Sequence, residues 1–222
     1  MSEPILITGC ARSGTSLVAG IINVCGGFGG AMTGEMGHNP KGQFENWYLR
    51  DHVEKPILSF YDSDPMGQHP LPDTENMQPT PLLKEIFYLV MMMNGWSGQQ
   101  IFYKGAKMCL MWPVWDYAFP NAHWLIVRRN AKDIAKSCMN TSFMNAYKDE
   151  IGWFKWIEQH EKRFEQMYQN LNNVSEVWAD DLIAGDLEPI KKFIMNFDDL
   201  EWDEGEVLDF IDPDIWKRWS RS

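Results

Sequence analysis

Arg12 stands inside an eight-residue turn, Gly9-Cys10-Ala11-Arg12-Ser13-Gly14-Thr15-Ser16, whose residue types are those of an anion site. A short apolar run, Ile5-Leu6-Ile7, precedes it, and Leu17, Val18, Ile21 and Ile22 follow at helical spacing. Strand, glycine-bounded turn and helix start, in that order, aim backbone N–H groups into a concavity. The partial positive charge of the helix N-terminus lies behind them. The spacing Gly-x4-Gly-x-Ser is that of a phosphate-binding P-loop, but the lysine that ordinarily follows the second glycine is Thr15. The cation is supplied three residues earlier, by Arg12.

A second stretch repeats the theme: Val127-Arg128-Arg129-Asn130-Ala131-Lys132-Asp133-Ile134-Ala135-Lys136-Ser137. The apolar run His123-Trp124-Leu125-Ile126-Val127 is too short for a helix and reads as a buried strand. In P-loop enzymes that hydrolyse or transfer nucleoside triphosphates, one such strand commonly ends in Asp and holds Mg²⁺. This one ends in two arginines, which suits a second anion. Ser137 lies eight residues beyond Arg129, a little over two helical turns. Arg129 and Ser137 together can grip a phosphate through a charged fork and a hydroxyl. Asp133 is placed to cap or orient the arginine, and Arg128 reads as structural or peripheral. Lys104 and Lys107 flank a further strand end, within reach of an anion or of a second substrate, with solvated lysines as the alternative.

These residues need a frame. Strand, loop and helix over residues 5–24 are followed by a glycine cluster (Gly26, Gly27, Gly29, Gly30, Gly34, Gly37) that reads as a loop. Residues 45–60 read as helical, with Trp47, Leu49, Val53, Ile57 and Leu58 facing inward. Residues 62–81 carry five prolines and read as irregular, either a binding element or a surface excursion. Helices are expected over 81–93, 131–139, 151–171 and 187–197, and strands over 101–104, 123–127 and 174–178. Strands alternating with helices imply an α/β fold: a P-loop-type three-layer arrangement with a central parallel sheet flanked by helices. No repeat or low-complexity linker divides it, so residues 1–222 read as one domain.

Composition narrows the function. At 222 residues and 45% hydrophobic the chain can bury one substantial core. The longest uninterrupted apolar run, residues 86–93, is too short to span a bilayer. Met1-Ser2-Glu3-Pro4 has no basic start of a targeting segment, and four scattered cysteines without a Cys-x-x-Cys pair read as reduced thiols. A cytoplasmic protein with no membrane segment and no metal site is the expectation. The net charge of −11 is concentrated in residues 180–214, where 13 Asp and Glu face only Lys191 and Lys192. That argues against broad nucleic-acid binding and leaves a basic pocket elsewhere open. The eleven tryptophans read as core packing with some partly buried rings.

The two arginine motifs together carry a resemblance. Arg12-Ser13-Gly14-Thr15-Ser16 after an N-terminal strand is similar to the 5′-phosphosulfate loop of the sulfotransferases that use 3′-phosphoadenylyl sulfate (PAPS). Arg129-Asn130-Ala131-Lys132-Asp133 with Ser137 resembles their 3′-phosphate motif. Asn39-Pro40-Lys41-Gly42-Gln43-Phe44-Glu45 is similar to a segment after the first helix of bacterial members, and Trp178-Ala179-Asp180-Asp181-Leu182 to the late strand and helix. The resemblance implies PAPS as co-substrate and 3′,5′-adenosine bisphosphate (PAP) as product, with no metal. It implies Arg12 at the bridging oxygen of the phosphosulfate, Ser13, Gly14, Thr15 and Ser16 around the 5′-phosphate, and Arg129 with Ser137 at the 3′-phosphate. The acceptor would be a hydroxyl or amine on a small molecule, carbohydrate or peptide. Glu45 and Glu35 rank ahead of His38 as the base that takes its proton, and His52 lies nearby. The basic glycine-rich C-terminal loop of larger members has no counterpart beyond Trp216-Lys217-Arg218-Trp219. Two other readings remain open: a non-catalytic nucleotide-binding or interaction protein, and a small-molecule kinase, which should carry Lys at position 15 and an acidic strand end.

Overall fold

The structure is a computed structural model that describes residues 3–35 and 40–212. The first strand, β1 (Ile5–Gly9), runs into α1 (Thr15–Val24). A helical stretch follows in three parts: α2 (Trp47–Leu49), a π-helical turn over Arg50–Glu54, and α3 (Lys55–Phe60). Next come α4 (Leu83–Met93), β2 (Phe102–Lys104), a 3₁₀ turn at Met108–Met111 and α5 (Trp112–Ala118). The second half comprises β3 (His123–Arg128), α6 (Ala131–Met139), α7 (Glu150–Asn170), β4 (Val174–Trp178), α8 (Ala179–Ala184), α9 (Glu188–Ile194) and α10 (Glu204–Phe210).

The four strands form one parallel sheet in the order β2-β1-β3-β4. Alternation along the central strands builds a core on each face. Leu6, Trp124 and Ile126 point into one cluster with Phe87 of α4, Trp115 of α5 and Trp153 of α7. Ile5, Ile7, Leu125 and Val127 point into the other, with Ile21 and Ile22 of α1 and Ile190 of α9. Both faces of the sheet are therefore covered, which is why β1 and β3 read as unbroken apolar runs. The expected three-layer α/β fold with a central parallel sheet is the one observed.

The parallel register aligns the C-terminal ends of β1 and β3, pairing Gly9 with Val127. Loops leaving parallel strands at one edge are where such sheets bind ligands, and both arginine motifs leave there. Gly9 itself cannot carry a side chain: a Cβ would lie 2.5 Å from the Val127 carbonyl and 2.7 Å from Ser13 Oγ.

One expected helical face needs correcting. Leu49, Val53 and Leu58 are buried, but Trp47 is 45% exposed. The π turn at Arg50–Glu54 inserts an extra residue per turn. A 3.6-residue period extrapolated backwards through it therefore assigns Trp47 to the wrong side.

Candidate functional site

At the sheet edge the chain adopts an unusual backbone. Arg12 has φ +72° and Gly14, the N-cap of α1, has φ +98°. Left-handed geometry costs a non-glycine residue roughly 1 kcal/mol, and such strain is a mark of sites where the backbone is set for a ligand. Alternation of this kind turns successive N–H groups inward to form an anion-binding concavity. The first amides of α1 have no intrahelical acceptor, and no side chain caps them. By contrast, α6 and α7 are capped by Asn130 and Asp149. An anionic group fits this cradle.

The two motifs meet there across 125 residues of sequence. Arg12 Nε donates to Ser137 Oγ at 3.0 Å, and Arg129 Nη1 donates to the Arg12 carbonyl at 3.1 Å. Arg129 is buried, and its guanidinium pKa is lowered first by that burial, with Asp180 and Asp133 opposing. Arg12 is lowered by burial in the same way. Asp180 Oδ1 lies 3.8 Å from Arg129 Nε while its other oxygen accepts from Asn130 N at 2.9 Å. The carboxylate that orients Arg129 is thus Asp180 at the start of α8, not Asp133, and the cap of α6 is Asn130, whose side chain accepts from Lys132 N. Arg128 points away, into ion pairs with Glu161 and Glu176.

A cavity of about 640 Å³ opens from this edge. Arg12, Gly14, Thr15, Ser16 and Arg129 line its loop end, while Ser13 and Ser137 stand just behind the lining, both buried. Ser16 Oγ donates to the Gln43 carbonyl at 3.2 Å and ties residues 40–46 against α1. Mid-cavity, Glu45 accepts from Lys104 Nζ at 2.6 Å and lies 3.5 Å from Arg50. Burial alone would raise the Glu45 carboxyl, but Lys104, Lys107 and Arg50 override it and hold it down at about 2. Lys107 pairs with Glu54 at 3.6 Å. Lys104 is therefore neutralised and fixed by a short contact, whereas Lys107 is paired with its carboxylate more loosely.

The far end is apolar, lined by Met66, Leu110, Phe143, Met144 and Trp156. The proline-rich segment 62–81 supplies part of that wall, and it is pinned in place. Trp156 Nε1 donates to the Gly67 carbonyl at 3.0 Å, and the Gln68 amide bonds the Phe143 carbonyl and the amides of Asn145 and Ala146. His160, one helical turn beyond Trp156 on α7, lines the same end. Its Nδ1 lies 2.9 Å from the Trp156 carbonyl, an acceptor only, so Nδ1 carries the proton and Nε2 keeps its lone pair. Burial holds its pKa down at about 3, with Arg163 adding to the effect.

Of the carboxylates expected near the transferring group, Glu45 lies in the cavity wall and Glu35 is exposed outside it. His52 is exposed beside the rings of Trp47 and Tyr48, and His38, Asn39 and Trp216 to Trp219 lie outside the described residues. Sequence reasoning passed over His160, Arg50 and Glu54. The pairing of Trp156 with His160 at i and i+4 on an amphipathic helix was the available signal for the first. Nothing in the spacing marked the other two. Among the described residues no group of His, Cys, Asp and Glu is arranged to hold a metal ion, and no helix is long and apolar enough to cross a membrane.

With that geometry in hand, comparison with solved structures is informative. The sulfotransferase domain of the Synechococcus PCC 7002 olefin synthase superposes with a TM-score of 0.58 at 11% identity, over 100% of this chain and 90% of that one. A sulfotransferase from Mycobacterium tuberculosis H37Rv gives 0.51 at 12% identity, over 95% of this chain and 71% of that one. The chain has the sulfotransferase fold. No protein-family model matches the sequence, and no curated protein matches it.

Proposed function

We propose that the protein is a sulfotransferase that moves a sulfuryl group from PAPS to a hydroxyl-bearing acceptor. One observation carries the reading: the Arg12 loop and the Arg129–Ser137 helix start, separate in sequence, join through two hydrogen bonds at one end of a cavity. A nucleotide with phosphate groups at two positions needs two cationic sites at a fixed separation, and these are the two motifs that would provide them. The sulfotransferase fold supports the same reading. A kinase site would need a lysine at Thr15 and an acidic end to β3, and β3 ends in Arg128.

In this reading the amides of Gly14, Thr15 and Ser16 and the N-terminus of α1 bind the 5′-phosphate. Arg129 and Ser137 bind the 3′-phosphate, with Ser13 lending support from behind the loop. The acceptor oxygen attacks sulfur opposite the bridging oxygen, the S–O bond to the phosphate breaks, and PAP leaves. Arg12 stabilises the negative charge that grows on the bridging oxygen, a preorganised electrostatic contribution. Lys104, held by Glu45, faces the sulfuryl oxygens. The acceptor enters from the apolar end, which favours an apolar molecule with one hydroxyl over a sugar or a charged peptide. Its proton passes to Glu45 or to His160 Nε2. Glu45 becomes basic enough once the donor's negative charge competes for Lys104. His160 presents a lone pair, and although burial holds it at about 3 in the empty site, the negative charge of a bound donor raises its basicity too.

The test is thermal. PAP should raise the melting temperature in the absence of Mg²⁺, and PAPS should be turned over with hydrophobic alcohols or phenols. Stabilisation by ATP with Mg²⁺ but not by PAP would sink the assignment. Binding of PAP with no turnover across a broad acceptor panel would instead favour a nucleotide-binding protein without catalysis.

A further inference from the structure

Glu54 carries a carboxyl group held wholly inside the protein. It closes the π-helical turn Arg50–Glu54, where its carboxylate oxygens make no well-aligned hydrogen bond and face the Tyr103 hydroxyl. Its ion-pair partner is Lys107 Nζ, at 3.6 Å, too long for a hydrogen bond. Space for it has been left on purpose across the way: a Cβ on Gly105 would lie 2.3 Å from Glu54 Oε1. Lys107 in turn lines the cavity. A loose ion pair with one member buried and the other at the cavity wall is one in which the exposed member can be redirected.

We propose that Glu54 is the positioning residue for Lys107: ionised, its carboxylate holds the Lys107 ammonium back from the cavity, and protonated, it frees that ammonium to contact the sulfuryl group of the bound donor. The inference rests on the PAPS reading above. The groups facing Glu54 are Lys107, Glu45, Tyr103, Lys104 and Cys109. Burial raises its carboxyl to about 7, with Lys107 opposing and the ionised Glu45 adding to the rise. Glu45 itself is held at about 2, and the Tyr103 hydroxyl is raised well above its ordinary value by burial and by Glu54. Neither changes charge near neutral pH, nor does the Cys109 thiol, which burial pushes up to about 12, whereas Glu54 does.

The experiment compares the binding of PAPS and PAP by calorimetry between pH 7 and pH 9, above the second ionisation of a phosphate monoester near 6. The protonated fraction of a group with a pKa of 7 falls from one half at pH 7 to roughly one eleventh at pH 8. The PAPS dissociation constant should therefore weaken about fivefold over that unit. PAP, which has no sulfuryl group, should show no such slope. Glu54→Gln is neutral at every pH and should bind PAPS with no slope and more tightly than wild type at pH 8. Lys107→Met should lose the slope and bind PAPS more weakly than wild type at pH 7. Retention of the slope in Glu54→Gln, its absence in wild type, or an equal slope for PAP each overturns the role of Glu54 while leaving the donor assignment standing. A wild-type protein that binds neither PAPS nor PAP overturns both.

Discussion

Replacement of Arg129 by alanine separates ligand binding from stability, because the two effects have different sizes. In the unliganded protein Arg129 donates to the Arg12 carbonyl and lies in a long ion pair with Asp180. Asp180 is a third exposed and keeps its bond from Asn130 N. Losing Arg129 therefore leaves Asp180 partly solvated and hydrogen-bonded, not stranded. It also removes a guanidinium whose burial already disfavours its charged form. The net loss of stability should be about 1 kcal/mol, a fall of roughly 2–4 °C in melting temperature for a chain of this size. Binding is another matter. Charge-assisted hydrogen bonds to a phosphate are worth about 1.5–3 kcal/mol each, so PAP should bind on the order of 10- to 100-fold more weakly. At saturating PAP a 100-fold loss removes about 2.7 kcal/mol of ligand-induced stabilisation. Calorimetry with PAP and with adenosine 5′-phosphate, which lacks the 3′-phosphate, reads the difference. Alanine should hurt PAP and leave the monophosphate unchanged. An equal loss for both ligands, or no loss for PAP, would refute the assignment of Arg129 to the 3′ end.

Two more perturbations follow from the cavity. Glu45→Gln should lower acid stability relations in a signed way: a carboxyl held at about 2 against an ordinary 4.5 stabilises the fold above its unfolded pKa and loses that contribution as pH falls toward 2. The wild type should therefore exceed the variant by up to about 3 kcal/mol at pH 7, and the two should converge in denaturant titrations near pH 2. A constant gap at every pH would contradict the Lys104 clamp. His160→Phe, which keeps the ring against Trp156 but removes Nε2, should leave PAP binding unchanged and reduce turnover of an alcohol acceptor by 10²-fold or more. Unimpaired turnover would assign the proton to Glu45 alone.

How much of this was legible beforehand depended on the periodicity each element presents. β1 and β3 are unbroken apolar runs because helices cover both faces of the sheet, and α6 begins at Ala131 as its Asn130 cap requires. The geometry of the Arg12 loop was legible because a chain turn that gathers amides needs glycine at fixed positions. Elements that pack few residues were missed: α5 opens at Trp112-Pro113, which reads as a break, and α10 is seven residues of mostly acidic and apolar character. The π turn was invisible, since one added residue leaves composition untouched while rotating Trp47 out of the core and swinging Glu54 in. Glu45 was found by its motif, but its partner Lys104 comes from β2, 59 residues away. A pairing of that kind exists only once β2 lies beside β1.

The charge layout lets an acidic chain offer a local anion site, as the proposed PAPS donor requires. Residues 180–214 carry a net −11; within that segment Asp180 lies beside Arg129 and Asp212 lines the cavity. Over a screening length of about 8 Å at physiological salt, a ligand at the Arg12 loop senses its near neighbours far more than the whole chain. Those neighbours are the desolvated guanidinium groups of Arg12 and Arg129 and the amides of α1. Farther along, Lys104 and Lys107 are each matched by one carboxylate, and the two carboxylates are pushed in opposite directions, Glu45 to about 2 and Glu54 to about 7. Paired groups forced apart in this way are what a site needs to hold one charge fixed while another titrates. The lysine absent after Gly14 is then no deficit. A P-loop lysine would add a fixed cation at the phosphates, whereas in the proposed reading fixed charge comes from Arg12 within the loop and adjustable charge from Lys107 farther along the cavity wall.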